Sequence, residues 1–449
     1  MGRRNASWCA EMSLRASATC SVRYGERHDI RQGSHGLNGD LTGRNNDPVV
    51  TSLRGKLERA CERLSKDLYN SQSHFILEFV QNADDNHYKP GVDPTLHLRL
   101  SDSEVIIKCN EKGFDKDNVK AICDIGASTK ARQKKVDGYI GEKGIGFKAV
   151  FAVAQRVRVA SGDFTFRFDR DGPLGMINPI WDASYPSVPG WTTFRLTMTQ
   201  AVARSDLKEQ IKGIQSSLLL FLRKLRAIDI DVAMGQHSTI SVRRIDEPND
   251  VIRLERHENS TCVSKCRYIV SKQTVKAYAH EEKREGIEQS EIVLAFPIDG
   301  DGRPAIGKQD VHAFLPVATY GLNFVVQADF LTSSSREDII ADSQWNRVLL
   351  QGVTDTFLAA IERFRQHHIL RDCWMRYIPR NARVPFSAVE DSIVKALRSR
   401  PILRDIFDRY QLPTTLITIP SHFRLPRGGD PLIGTSDLPS SPSLSVKSD

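Results

Sequence analysis

Long apolar runs and cysteine are both scarce in this 449-residue sequence. No apolar stretch approaches the roughly 18 residues that cross a bilayer, and the leucine-rich run 218–222 is far too short. The sequence therefore predicts no membrane-spanning segment. The 8 cysteines are scattered and far below the density of disulfide-stabilised scaffolds. They fit a reducing compartment, so we expect an intracellular protein of the cytoplasm or nucleus.

The composition is that of a folded, water-soluble protein, with 40% hydrophobic and 26% charged residues. The net charge of +8 suits an anionic ligand. Basic residues occur along the whole chain, and no helix-turn-helix, zinc-finger or aromatic RNA-binding signature accompanies them. We expect nucleic-acid binding to be weak or absent. Cys262 and Cys266, with His257, leave zinc as an alternative, but they lack a CxxC spacing and an obvious fourth ligand.

Periodicity and composition divide the chain into five segments. They are a flexible basic leader at 1–48, for which a mitochondrial presequence is the alternative, an α/β domain at 49–203, a second α/β domain at 204–345, a helical segment at 346–425 and a disordered tail at 426–449. The first domain contains two paired strands, 95–100 and 104–109. The stretch 206–228 reads as one long amphipathic helix linking the two domains, and 344–364 as a further strong helix.

A polar stripe interrupts the apolar face of a helix predicted to begin near Ser73. Spacings of four and three residues put Glu78, Asn82 and Asp85 on one side of that helix. Burying a carboxylate costs several kcal/mol unless it is paired or used. The stripe therefore indicates a functional site, and a stripe that simply faces water is the alternative.

A glycine-rich segment, G-x-x-G-x-G, precedes a further helical pattern. Gly141, Gly144 and Gly146 let backbone N–H groups approach phosphate oxygens. Six cations in and before this segment suit a loop that closes over a polyphosphate, and a solvated charged loop is the alternative. They are Lys130, Arg132, Lys134, Lys135, Lys143 and Lys148.

A third piece, Asn110-Glu-Lys-Gly113-Phe114, follows a strand, and Gly126-Ala-Ser128-Thr129 comes after it. In this order the three pieces resemble the GHKL (Bergerat-fold) ATPase superfamily, and most closely the sacsin and NO VEIN branch with its heat-shock-chaperone-like nucleotide-binding domain. The resemblance covers about residues 50–200, with a looser likeness to about 345. It implies an α+β sandwich with a mixed sheet under helices, followed by an S-five-like middle domain.

The resemblance also implies roles for individual residues. Glu78 would be the general base that orients water, and Asn82 the Mg²⁺ ligand. Asp85 would support the adenosine side of the pocket. The remaining matches concern the phosphates, the lid and the base: Gly113, Ser128, Thr129, Gly141, Lys143, Gly144, Gly146, Phe147, Lys148 and Thr192.

One departure concerns adenine. Where the family places an aspartate that accepts the adenine N6 hydrogen bond, this chain offers Asn110 or else Glu111. A neutral amide is a weaker acceptor than a carboxylate, by about 1 kcal/mol. In the second domain, Arg336 matches the family arginine that stabilises γ-phosphate charge, and a surface salt bridge to Glu337 or Asp338 is the alternative.

The resemblance predicts an ATP-binding and ATP-hydrolysing conformational switch of chaperone type. Its cofactors would be ATP and Mg²⁺, and its partners an unidentified protein client and, in one nucleotide state, a second copy of the chain. The alternatives are a nucleotide-binding scaffold without turnover and a nucleic-acid-associated ATPase of the MORC type. Glu78 favours catalysis, whereas the missing aspartate favours the scaffold.

Overall fold

A computed structural model gives the structure of most of the chain. The residues it describes are 74–124, 146–200, 202–276, 289–333, 337–405 and 409–416, with 52, 55, 56, 59, 281, 284 and 287. The chain divides into two compact units, which we call unit 1 (1–243 and 256–263) and unit 2 (244–255 and 264–449).

Unit 1 consists of a mixed sheet with helices. Its elements are α1 His74–Asp85, β1 Thr95–Ser101, β2 Glu104–Cys109, α2 Lys116–Cys123, a 3₁₀ helix Gly146–Ala152, β3 Ala154–Ser161, β4 Phe164–Asp169, β5 Ile180–Trp181, β6 Thr192–Met198, α3 Arg204–Lys212, a 3₁₀ helix Ser216–Leu220, β7 Ala227–Ala233 and the first part of β8 Ser238–Glu247. The strand order is β7-β1-β2-β6-β3-β4-β5. Only β1 and β7 pair in parallel within that order.

The predicted pair of strands at 95–100 and 104–109 is confirmed as the antiparallel hairpin β1–β2. Alternation along β1 buries Leu96, Leu98 and Leu100 on one face and turns His97 and Arg99 to the other. This is the period-two pattern of a strand with one covered face. Strand side chains on the covered face and the apolar side of α1 form the core of unit 1.

The prediction of one long helix over 206–228 is wrong. Helix α3 ends at Lys212, with Gly213 as its C-cap, a short 3₁₀ helix follows, and β7 begins at Ala227. Leu218, Leu219 and Leu220 are at most 2% exposed. The leucine spacing therefore reflects burial in the unit 1 core and not the face of an exposed linker helix. The helical pattern predicted after Phe147 is likewise only a 3₁₀ helix before β3.

Unit 2 contains further strands and the longest helix of the described residues. Its elements are the last part of β8 (244–247), β9 Val251–Glu258, of which residues 251–255 belong here, β10 Thr261–Lys276, of which residues 264–276 belong here, β11 Gln289–Ile298, β12 Gln309–Ala313, β13 Leu315–Leu322, β14 Val325–Gln327, α4 Gln344–Phe364, α5 Ser387–Arg398, β15 Leu403–Arg404 and β16 Tyr410–Gln411, with short 3₁₀ helices at Leu370–Asp372, Trp374–Tyr377 and Pro413–Thr415. The order of its main strands is β13-β12-β14-β11-β10. The predicted helix at 344–364 is confirmed.

One apolar core joins the helices and strands of unit 2. Trp345 and Phe357 of α4 and Phe296 of β11 are not exposed at all and belong to the same cluster as Ile393 of α5. The observed mixed sheets with packed helices confirm the predicted α+β class. Among the described residues, no helix combines the length and apolarity needed to cross a bilayer.

A buried histidine gives unit 2 a pH-dependent stability. His312 of β12 is 0% exposed, and burial lowers its pKa to about 3 because the charged form is poorly solvated there. Below pH 6.5 the unfolded chain gains this proton and the folded chain does not, so stability falls as the pH falls. At pH 5 the loss is about 2 kcal/mol relative to pH 7.

We expect His312→Leu to reduce the pH dependence of unfolding, measured by urea denaturation at pH 7 and pH 5. The difference in unfolding free energy between the two pH values should shrink by about 2 kcal/mol. His368→Gln, at an exposed position, serves as the control. An unchanged difference in His312→Leu would show that other groups cause the pH dependence.

Candidate functional site

Helix α1 lies on the unit 1 sheet through aromatic side chains. Phe75 and Phe79 are 2% and 6% exposed, and the Phe79 ring lies 4.8 Å from that of Phe194 on β6. On the polar stripe, Glu78 and Asn82 are half-buried. The Asp85 side chain is 0% exposed. The stripe is therefore not a simple water-facing surface.

The C-terminal end of α1 is fastened by a buried carboxylate that sequence analysis did not single out. Asp84 is 1% exposed. Its two oxygens accept hydrogen bonds from three consecutive backbone N–H groups: Arg223 at 3.0 Å, Lys224 at 2.7 Å and Leu225 at 2.9 Å. Successive N–H groups that converge on one anion form a strong local site for negative charge. The carboxylate thus ties α1 to the segment that enters β7.

The side chains of Arg223 and Lys224 also contact the C-terminal end of α1. Arg223 Nη2 lies 3.5 Å from Asp85 Oδ1. The Lys224 ammonium donates to the main-chain oxygens of Asp85 at 3.3 Å and Asn86 at 2.7 Å. A cation at the C-terminal carbonyls of a helix also complements the helix dipole. Asp85 therefore has an arginine beside it within unit 1.

The turn after β2 contains both candidates for the adenine acceptor. Asn110 Oδ1 accepts from Thr95 N at 2.8 Å, and Asn110 Nδ2 donates to Asp93 O at 2.8 Å. Both amide atoms thus hold the start of β1. Glu111 is 7% exposed and lies near Tyr88 and Cys109. It is the buried carboxylate of this turn.

Cys109, four residues before Gly113, is a buried thiol beside Tyr88. The Tyr88 hydroxyl donates to Ala83 O at 2.6 Å and lies 3.2 Å from Cys109 Sγ. Burial, followed by the nearby charge of Glu111, raises the pKa of the Cys109 thiol to about 12. The thiol is therefore protonated at neutral pH.

A chain of hydroxyl contacts joins Gly113 to Thr192. Gly113 has φ +98°, which favours glycine, and a Cβ at this position would lie 3.7 Å from Ser161 Oγ. Ser161 Oγ accepts from Phe114 N at 2.8 Å and lies 2.5 Å from Thr192 Oγ1. Ser161 and Thr192 are both 0% exposed. The structure therefore brings together two predicted site positions that are 79 residues apart in the sequence.

The 3₁₀ helix Gly146–Ala152 carries three predicted site residues. The Phe147 ring lies 5.9 Å from that of Phe194. Lys148 is 4% exposed, and its ammonium donates to Ile122 O at 2.6 Å and Met176 O at 2.8 Å. In this arrangement the Lys148 ammonium secures the last turn of α2. The predicted phosphate contact of Lys148 stays a prediction.

The described residues thus place part of the predicted site around one strand. The predicted site residues that lie outside the described residues are Ser128, Thr129, Gly141, Lys143, Gly144 and Arg336. Among the described residues, no group of three or more His, Cys, Asp or Glu side chains could hold a metal ion, and this includes Cys262, Cys266 and His257. A Mg²⁺ ion held by one or two protein oxygens, waters and phosphates needs no such group. The half-buried amide of Asn82 and carboxylate of Glu78 offer oxygen donors of that kind.

Fold and site together define a mixed α+β protein in which α1, the turn after β2 and the 3₁₀ helix Gly146–Ala152 pack against Phe194, on the face of β6 that carries Thr192. No family model matches the sequence. The chain belongs to a NO VEIN-like family: it is similar to Protein NO VEIN of Arabidopsis thaliana, with 34% identity over 361 residues. The match covers 75% of this chain and 13% of NO VEIN, so the chain spans only a small part of that relative.

We expect Asp84→Ala to lower the unfolding free energy by about 3 kcal/mol, because one buried and two partly buried N–H groups would lose a charged acceptor. Asp84→Asn keeps one acceptor oxygen and should lose less. Urea denaturation of the full chain measures both, with Asp171→Ala as the control, since Asp171 forms an exposed pair with Arg170. Equal stability of Asp84→Ala and the control would contradict an anchoring role.

Proposed function

We propose that unit 1 binds ATP with Mg²⁺ and hydrolyses it, and that the chain acts as a chaperone-like conformational switch of the GHKL type. The observation that carries the proposal is the convergence described above. Helix α1, the Gly113 turn and the 3₁₀ helix that begins at Gly146 all pack against Phe194, on the face of β6 that also carries Thr192. The similarity to NO VEIN supports the same branch of that superfamily.

Each residue of the stripe has a distinct task in this proposal. Asn82 would hold Mg²⁺ through its amide oxygen, and the ion would neutralise phosphate charge when bound. Glu78, one helical turn before Asn82, would accept a proton from the attacking water. Asp85, beside Arg223, would keep the adenosine end of α1 in place.

We assign the adenine acceptor to Glu111 in preference to Asn110. The amide of Asn110 already bonds to the main chain on both sides. Glu111 is a buried carboxylate in the same turn, and a charged oxygen is the stronger acceptor for the N6 hydrogen bond. The aspartate that the family places at this turn is absent from this chain. That absence favours the second candidate function, a nucleotide-binding scaffold without turnover.

We expect Glu78→Gln to bind ATP within about threefold of the wild type and to lose about 10²–10⁴-fold in turnover, the usual contribution of a general base. Isothermal titration with ATP, ADP and GTP in Mg²⁺ and a phosphate-release assay measure the two effects. Glu291→Gln, at an exposed position of unit 2, is the matched control. Asn82→Ala should weaken ATP binding only when Mg²⁺ is present.

The outcomes separate the two candidate functions. Wild-type binding without phosphate release would support the scaffold. A Kd above about 1 mM for every nucleotide, equivalent to about −4 kcal/mol, would end the nucleotide proposal. Equal turnover in Glu78→Gln and the wild type would place the general base elsewhere.

Arg336 extends the proposal to unit 2. The described flanks of its loop form a β-bridge between Thr332 and Ile339, and Leu331 exchanges hydrogen bonds of 2.7–2.8 Å with the buried Asn346 side chain. These contacts hold the described residues on either side of Arg336. We propose that Arg336 stabilises charge on the γ-phosphate during turnover.

We expect Arg336→Ala to lower kcat by about 10–1,000-fold, or about 1.4–4 kcal/mol of transition-state stabilisation, while ADP affinity changes by less than about threefold. Arg336→Lys should recover only part of kcat, because an ammonium lacks the planar fork. Phosphate release under single-turnover conditions is the measurement. If Arg336→Ala had the same kcat as the wild type, Arg336 would play no part in the reaction.

A further inference from the structure

One segment of unit 2 carries a large excess of positive charge. Between residues 363 and 404 the sequence holds ten Lys or Arg and only three Asp or Glu, whereas the whole chain has a net charge of +8. The net charge of these 42 residues, without histidine, is therefore +7.

Most of these cations face the solvent. Eight of the ten are exposed, and only Arg365 and Arg404 are half-buried. Six exposed members have no acidic side chain within 4 Å among the described residues: Arg376, Arg380, Arg383, Lys395, Arg398 and Arg400. By contrast, Arg253 and Arg267 of β9 and β10 both pair with Glu247, at 2.7 and 2.9 Å.

Contacts bring several of these arginines to one place. Arg404 and Arg371 share the carboxylate of Asp372, at 2.8 and 3.4 Å. Arg303 and Arg376 both lie close enough to Cys373 to affect the pKa of its thiol, which burial raises and the two arginines lower. Arg400 is only four residues from Arg404, a separation of at most about 14 Å. We call the set Arg303, Arg371, Arg376, Arg398, Arg400 and Arg404 the basic surface.

Flat rings adjoin the basic surface. His367 and His368 stack with centroids 4.7 Å apart, and His368 is exposed. Tyr410, whose strand β16 pairs with the strand of Arg404, stacks its ring on Arg365 at 3.7 Å. Arginine makes up nine of the ten cations between 363 and 404. Its planar fork matches two phosphate oxygens, and rings and guanidinium planes offer stacking partners for bases.

We propose that the basic surface of unit 2 binds the phosphate backbone of single-stranded nucleic acid. Arg376, Arg398 and Arg400 supply the sequence-independent attraction, and the adjacent rings supply stacking that every base can satisfy. An acidic protein segment would use the charge but not the rings. The proposal concerns unit 2 alone and does not depend on nucleotide hydrolysis in unit 1.

The test is fluorescence anisotropy of labelled 20-nucleotide single strands of DNA and RNA, titrated with the full chain at 50–200 mM salt. The variant Arg376→Gln/Arg398→Gln/Arg400→Gln should bind at least tenfold more weakly at 100 mM salt. Its slope of log K against log salt should be shallower by about 2, since about 0.7 counterions are released per contact with a single strand. Addition of Mg-ATP should not displace the strand.

The control variant is Lys265→Gln/Lys272→Gln/Lys276→Gln, which removes the same charge from exposed positions of β10 in unit 2. It should change affinity by less than about threefold. Exposed substitutions of this kind alter stability little, so thermal melts should agree for both variants. Equal weakening by both variants would overturn the proposal by showing that net charge alone drives binding. So would the absence of wild-type binding at 50 mM salt, or tighter binding of a polyglutamate peptide than of either strand.

Discussion

The candidate site depends on packing against the ring of Phe194, because three separate parts of the chain contact it. Phe79 of α1 lies at 4.8 Å, Phe147 of the 3₁₀ helix at 5.9 Å and Phe114 of the turn after β2 at 6.1 Å. Such ring pairs contribute about 0.5–1.5 kcal/mol each beyond their buried area. Side chains alternate along β6, so Thr192 and Phe194 share one face. Apolar packing, and not the polar residues themselves, thus sets where the polar stripe lies.

Two buried charges hold the C-terminal ends of α1 and α2. Each bonds to main-chain groups in place of an opposite charge. Asp84 takes three N–H groups, and Lys148 gives two hydrogen bonds to carbonyl oxygens. A carboxylate at the C-terminal end of α1 is unfavourable for the helix dipole, but the Lys224 ammonium at the same end offsets it. Leaving either charge without its main-chain partners would cost several kcal/mol, so both helix ends are held firmly.

Local patterns were enough to predict the elements whose burial follows one period. Strands β1 and β2 alternate, and α4 has a continuous apolar face, so all three could be read from the sequence. Strand β7 could not, because the leucines before it keep helical spacing while they fill a core. The role of Asp84 could not be predicted from the sequence either. In the run Asn82-Ala-Asp84-Asp85 either acid fits a helix surface, and only the segment 223–225, some 139 residues away, distinguishes them. The same limit applies to Asn110, whose partners Asp93 and Thr95 are set by the pairing of β1 with β2.

The arginines of unit 2 fall into two groups, which differ in how many acidic side chains lie near them. On β9 and β10 it faces glutamate across the strands, so the charges cancel and the pairs support the sheet. Between 363 and 404 three acids accompany ten cations, too few for such cancellation. Exposed like charges repel and cost stability, so their concentration here is not explained by the packing of α4 and α5, which buried apolar side chains already provide. A field of this sign extends about 8–10 Å into physiological salt, and it therefore acts on an anion before any contact forms.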